Sequence, residues 1–116
     1  MAQHNEKGTE AELMAAKMLE KKGYEIVQQN YRFGKGEIDL IAFKDDWLVF
    51  VEVRARSDVA YGFPEETISK AKANLLKKTA EAYIFAENWQ GKVRFDIVAI
   101  LVGKQFEIMH FEDAFF

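Results

Sequence analysis

Glu37-Ile38-Asp39-Leu40-Ile41 and Val49-Phe50-Val51-Glu52-Val53-Arg54 are two short apolar runs that each carry acids, and their reading decides the fold. Runs of this length, rich in β-branched and aromatic residues, read as strands largely buried on both faces, where a carboxylate is rarely left without a partner. The polar stretch Phe43-Lys44-Asp45-Asp46-Trp47 between them is short enough to close a hairpin. With Asp45 and Asp46 at its tip, Asp39 is expected opposite Glu52 and Glu37 opposite Arg54. Like charges directly across a ladder destabilise it. A divalent cation between Asp39 and Glu52 resolves the conflict, because hard oxygen donors suit Mg²⁺ or Mn²⁺. The plainer alternative is that Glu37 and Arg54 form an ordinary cross-strand ion pair and the acids are structural.

Working outward, 116 residues make one domain spanning 1–116, long enough for a real core. Without cysteine there is no disulfide framework, thiolate zinc site or cysteine nucleophile. Met1 to Gly8 is polar and lacks an apolar signal region, and no apolar run approaches membrane-spanning length, so a cytoplasmic protein with no membrane contact is expected. A net charge of -3 argues against a nonspecific polyanion binder but says little about a local basic patch.

A helix is expected from about Asn5 to Lys22, ended by Gly23, with an apolar stripe through Ala11, Met14, Ala15, Met18 and Leu19. Tyr24 to Arg32 reads as a strand and Phe33-Gly34-Lys35-Gly36 as a loop before the acidic hairpin. Pro64, Glu65 and Glu66 suit the first turn of a second helix carrying Ile68, Leu75, Leu76, Ala80, Tyr83 and Ile84 and breaking at Asn88 to Gly91. Val93 to Val102 and Gln105 to Phe111 complete the order αβββαββ. That order suggests an α/β sandwich with a mixed central sheet flanked by helices. Trp47, Trp89 and most phenylalanines are assigned to the core, and His110 to an edge.

Asp39 on one strand and Glu52-Val53-Arg54 on the next resembles the PD-(D/E)XK nuclease pattern, an acid followed after a hairpin by Glu-x-Lys. With Gly8 and Glu12, Asn30-Tyr31-Arg32, Gly36 to Ile41, Lys72 with Leu76 and Ala80, and Arg94-Phe95-Asp96, nearly the whole chain resembles the uncharacterised bacterial YraN-like family. That family is regarded as endonuclease-like and related to archaeal Holliday-junction resolvases. The resemblance implies a restriction-endonuclease-like fold and metal-dependent hydrolysis of phosphodiesters, with branched or structured DNA as a candidate substrate. It implies Asp39 and Glu52 as metal ligands, helped by the Val53 carbonyl and by Glu12 directly or through water. Glu37 is separately read as a partner that orients Arg54. The resemblance also favours a homodimer.

Arg54 departs from the pattern, which usually has Lys. A guanidinium stays protonated and cannot serve as general base, though its fork of donors can clamp a phosphate. Lys72 is a replacement if its helix crosses the hairpin, and is otherwise one more solvated lysine beside Lys70, Lys77 and Lys78. Arg32, Lys35, Arg54, Arg56 and Lys72 are the expected contacts to a nucleic-acid backbone, and Tyr31 to Gly36 interleaves cations, aromatics and glycines. Two rivals stand beside the nuclease reading. One is a non-catalytic nucleic-acid-binding module, the other an interaction protein using the apolar tail Phe111 to Phe116.

Overall fold

Asp45 and Asp46 both take positive φ, 52° and 68°, the backbone of a type I′ turn whose twist matches its flanking strands. The computed structural model describes residues 6–56, 68–101 and 106–115. Its elements are α1 (Glu6–Lys21), β1 (Glu25–Phe33), β2 (Gly36–Lys44), β3 (Trp47–Arg56), α2 (Lys70–Ala86), β4 (Lys92–Leu101) and β5 (Glu107–Phe111). The expected order αβββαββ therefore holds, in a five-stranded sheet ordered β1-β2-β3-β4-β5. Neighbours are antiparallel except β3 and β4, which run parallel and need the crossover that α2 provides.

The two helices cover opposite faces because the strands alternate. Val49 and Val51 pack with Ala11, Ala15 and Leu19 of α1, whereas Leu48 and Phe50 pack with Leu76 and Ala80 of α2. Small alanines on α1 let that helix lie close to the sheet. It stops at Gly23 (φ 98°), where the Tyr24 N–H reaches the Leu19 carbonyl and the Gly23 N–H that of Glu20, a Schellman closure.

Several expectations change. Ser69 is the N-cap of α2, with extended backbone and its side chain accepting from the Lys72 N–H, so α2 begins at Lys70 and Ile68 precedes it. Pro64, Glu65, Glu66 and the turn at Gly103-Lys104 lie outside the described residues. Met14 and Leu75, expected on apolar stripes, are 40% and 38% exposed because each stripe is narrower than its apolar residues suggest. Phe50 is core, but Phe33, Phe85 and Phe106 are exposed. The tail from Glu112 to Phe115 docks on its own domain, with the Ala114 N–H on the Phe95 carbonyl and the Phe115 ring 5.6 Å from that of Phe95. Among the described residues no helix is long and apolar enough to cross a membrane.

Candidate functional site

The β2–β3 register follows the expected pairing from Lys44↔Trp47 to Leu40↔Val51 and stops there, one residue short of Asp39 and Glu52. Ile38 packs with the α2-side core while Leu40 packs with the α1-side core, so the regular alternation of β2 breaks at Asp39. The strands part at this point. The Val53 N–H donates instead to Asp39 Oδ2, at 2.8 Å. An open cavity of about 560 Å³ occupies the parting, walled by Glu37, Asp39 and Glu52, by Lys35 and Lys72, and by Leu75 and Leu76.

Glu52 is 7% exposed and paired with cations from two elements. Lys72 Nζ lies 2.8 Å from Glu52 Oε2, and Arg54 Nε lies 3.6 Å from the same oxygen. The Ser69 cap fixes the first turn of α2, and that turn aims Lys72 across the end of the sheet. Lys72 is thus brought onto the hairpin acid Glu52, with its side chain 46% exposed.

Among the described residues no cation is paired with Asp39 in this way. Burial first, then the charges of Glu52, Glu12 and Glu37, push its carboxyl up to about 7, against the opposing hydrogen bond from Val53. Glu12, on α1, is raised by burial and by Glu37 and lowered by its bond from Asn30. Asn30 Nδ2 donates to Glu12 Oε1 at 2.8 Å from a backbone at φ 52°. Sequence reasoning gives Asn30 no site role. The one available signal is that asparagine tolerates this left-handed backbone better than most residues.

Other expected site residues are placed differently. Glu37 is paired across β1–β2 with Arg32, at 3.7 Å, and not across the β2–β3 ladder with Arg54, because that ladder ends before reaching it. Lys35 lies on the β1–β2 turn and lines the cavity. Arg32 is 73% exposed on β1. Arg56 ends β3, and its side chain lies outside the described residues. His110 is on edge strand β5, yet its side chain is 4% exposed and bonded to Asp96 at 2.7 Å.

The donor set tests whether a divalent cation fits. Asp39 and Glu52 present carboxylate oxygens, and the acidic surroundings that raise the Asp39 pKa are what a bound cation relieves. Among the described residues no three His, Cys, Asp or Glu side chains gather closely enough to hold a metal. Glu12, turned to Asn30, does not complete such a group. A cation here would be held by Asp39 and Glu52 alone among the acids, and the Val53 carbonyl, water or substrate oxygens would have to complete its coordination, as Mg²⁺ commonly accepts.

Three bacterial relatives show how far the likeness extends. A UPF0102 protein of Cytophaga hutchinsonii is 49% identical over 98 residues, covering 84% of this chain and 87% of that protein. One from Flavobacterium psychrophilum is 43% identical over 117 residues, covering 100% of this chain and 98% of that protein. A third, from Persephonella marina, is 41% identical over 110 residues, covering 94% and 92%. The family model described as "Uncharacterised protein family UPF0102" matches residues 11–100, and the chain belongs to that family.

Proposed function

We propose that the cleft between β2, β3 and α2 binds a nucleic-acid phosphate and hydrolyses its phosphodiester with Mg²⁺ or Mn²⁺ held by Asp39 and Glu52. The observation that carries this reading is the charge arrangement. A half-buried carboxylate crowded by three other acids lies beside a second carboxylate that draws in Lys72 and Arg54, all along an open cleft. Lys70 and Lys72 also occupy the first turn of α2, where the helix dipole disfavours cations and favours an anion. An anionic ligand there turns an unfavourable placement into a favourable one.

A divalent cation supplies charge neutralisation at the phosphoryl oxygen and a more acidic water. Asp39 and Glu52 orient it. Arg54 stays protonated and stabilises the charge that builds on the phosphate. The Lys72 ammonium, held against Glu52, donates a proton to the departing oxygen.

The lack of a three-acid group among the described residues favours the second reading, a nucleic-acid-binding module of the same fold without catalysis. The deciding experiment is cleavage of labelled four-way-junction, flap, single-stranded and duplex DNA with Mg²⁺, Mn²⁺ or EDTA. Metal-dependent cleavage is expected in the wild type and loss of it in Asp39→Ala, with binding retained. Lys72→Met should lower the rate about a hundredfold, the scale of general acid–base catalysis. Salt-dependent binding with no cleavage under either metal establishes the module instead.

A further inference from the structure

The β1–β2 hairpin ends beside the cleft on a two-residue turn, Gly34-Lys35, with Phe33 paired to Gly36 across it. Three observations single out this tip. Lys35 lines the cavity that holds Asp39 and Glu52. Phe33 is 57% exposed, a large apolar ring in water at the end of a strand. And the tip is fixed in place, because Gly36 lies so close to α2 that a Cβ there would fall 1.9 Å from Thr79 Oγ1.

The other aromatic rings nearby are already engaged. Tyr31, two residues back along β1, meets Tyr83 edge-on at 5.1 Å, and Phe50 stacks on Phe95 at 5.4 Å. Alternation puts Phe33 on the same face of the sheet as Tyr31, one step farther toward the open end. Phe85 and Phe106 are also exposed, but Phe106 lines a separate cavity with Lys17 and Lys21 that holds neither Asp39 nor Glu52, and Phe85 lies on α2 outside the lining of the acidic cavity.

We infer that Phe33 is a stacking platform for an unpaired base and Lys35 the contact to the adjoining phosphate, so that the cleft takes nucleic acid carrying unpaired nucleotides next to the scissile bond. The inference rests on the nucleic-acid reading of the cleft. Every base offers a π-face to an aromatic ring, and in a continuous duplex those faces are taken by neighbouring pairs. An exposed phenylalanine therefore selects single strands, flaps and branch points over intact duplex, without selecting a base.

The test measures binding of the full chain in EDTA to single-stranded, flap and duplex oligonucleotides by fluorescence anisotropy, with 2-aminopurine at the unpaired position of the flap. Phe33→Ala should weaken single-strand and flap binding about tenfold, within the range of one lost base stack, and leave duplex binding unchanged. Phe33→Trp should retain both the affinity and the quenching of 2-aminopurine. Lys35→Gln should weaken all three and reduce the salt dependence by about one phosphate contact. Single-strand and flap binding or cleavage that Phe33→Ala leaves unchanged overturns the platform while the cleft reading survives. A wild type that neither binds nor cleaves any of the nucleic acids, with or without Mg²⁺, overturns the cleft reading and the platform with it.

Discussion

Asp39 is where this fold accepts an electrostatic penalty. Its carboxyl is pushed from the ordinary 3.8 up to about 7 by burial and then by Glu52, Glu12 and Glu37. Between those values the folded protein holds a proton that the unfolded chain has released, so stability falls as the pH climbs through that window and the full penalty stands above it. Asp39→Asn should raise the melting temperature by several degrees at pH 8 and by almost nothing at pH 4, a comparison read by thermal unfolding across the range. Mg²⁺ or Mn²⁺ should stabilise the wild type at pH 8 and do so far less in the variant. An equal effect of the substitution at both pH values would mean that Asp39 is not the strained group. The acids themselves are visible in the sequence as charges in apolar runs. That Glu52 is satisfied by Lys72 while Asp39 is left to its acidic neighbours is not visible, because it depends on where α2 lands.

At the scale of elements, the contact between the β1–β2 hairpin and α2 sets the width of the cleft. Gly36 is buried, and an added Cβ would meet Thr79 Oγ1 at 1.9 Å and Thr79 Cβ at 3.2 Å. Thr79 is 1% exposed, its hydroxyl donating to the Leu75 carbonyl, and has no room to retreat. Gly36→Ala should destabilise the protein by about 1–3 kcal/mol through overpacking. Adding Thr79→Ala should return part of that loss, since the closest atom is then gone while the Cβ contact is merely tight. Denaturant unfolding of the two single variants and the double variant gives the coupling directly, and purely additive losses would rule out this contact. The glycine shows in the sequence as a turn signal beside Gly34. Its second role, allowing a helix to touch the strand, depends on a partner 43 positions away.

Across the whole molecule, a network away from the cleft joins the end of α1 and the segment after β5 to the sheet. Asp96, wholly buried, accepts from Arg94 Nε at 2.9 Å, Arg94 Nη2 at 2.8 Å, His110 at 2.7 Å and the Asp113 N–H at 3.0 Å. Arg94 also donates to the Tyr24 hydroxyl, and Lys22 Nζ lies 2.7 Å from His110 Nδ1, which brings in the end of α1. Burial by itself raises the Asp96 carboxyl, but the bonds from His110, Arg94 and Asp113 outweigh it and hold the carboxyl below its ordinary 3.8. A depressed carboxyl adds stability above 3.8 that is lost as the pH falls through the folded value. Asp96→Ala should therefore cost about 3–5 kcal/mol at neutral pH, the scale of breaking a buried pair, and the gap to wild type should narrow below pH 3.8. Hydrogen exchange at the Ala114 amide should speed up in step. Unchanged exchange there would show that the tail is held by Phe115 against Phe95 rather than by the network.

The sequence by itself determined the order of elements, the hairpin register and the acidic pair. Those are local properties, since alternation along a strand, two aspartates able to adopt positive φ and a glycine closing a helix each act within a few residues of their neighbours. It also carried the UPF0102 membership, through motifs spread along the chain. Only the tertiary structure decided that β2 and β3 part at Asp39, that Lys72 reaches Glu52, that Phe33 stays in water and that His110 is buried on Asp96. Each of these depends on how separate elements are placed against one another. The parallel β3–β4 pair requires a helical crossover, and its path over the sheet, fixed by Leu76 and Ala80 in the core, places the first turn of α2 against the cleft.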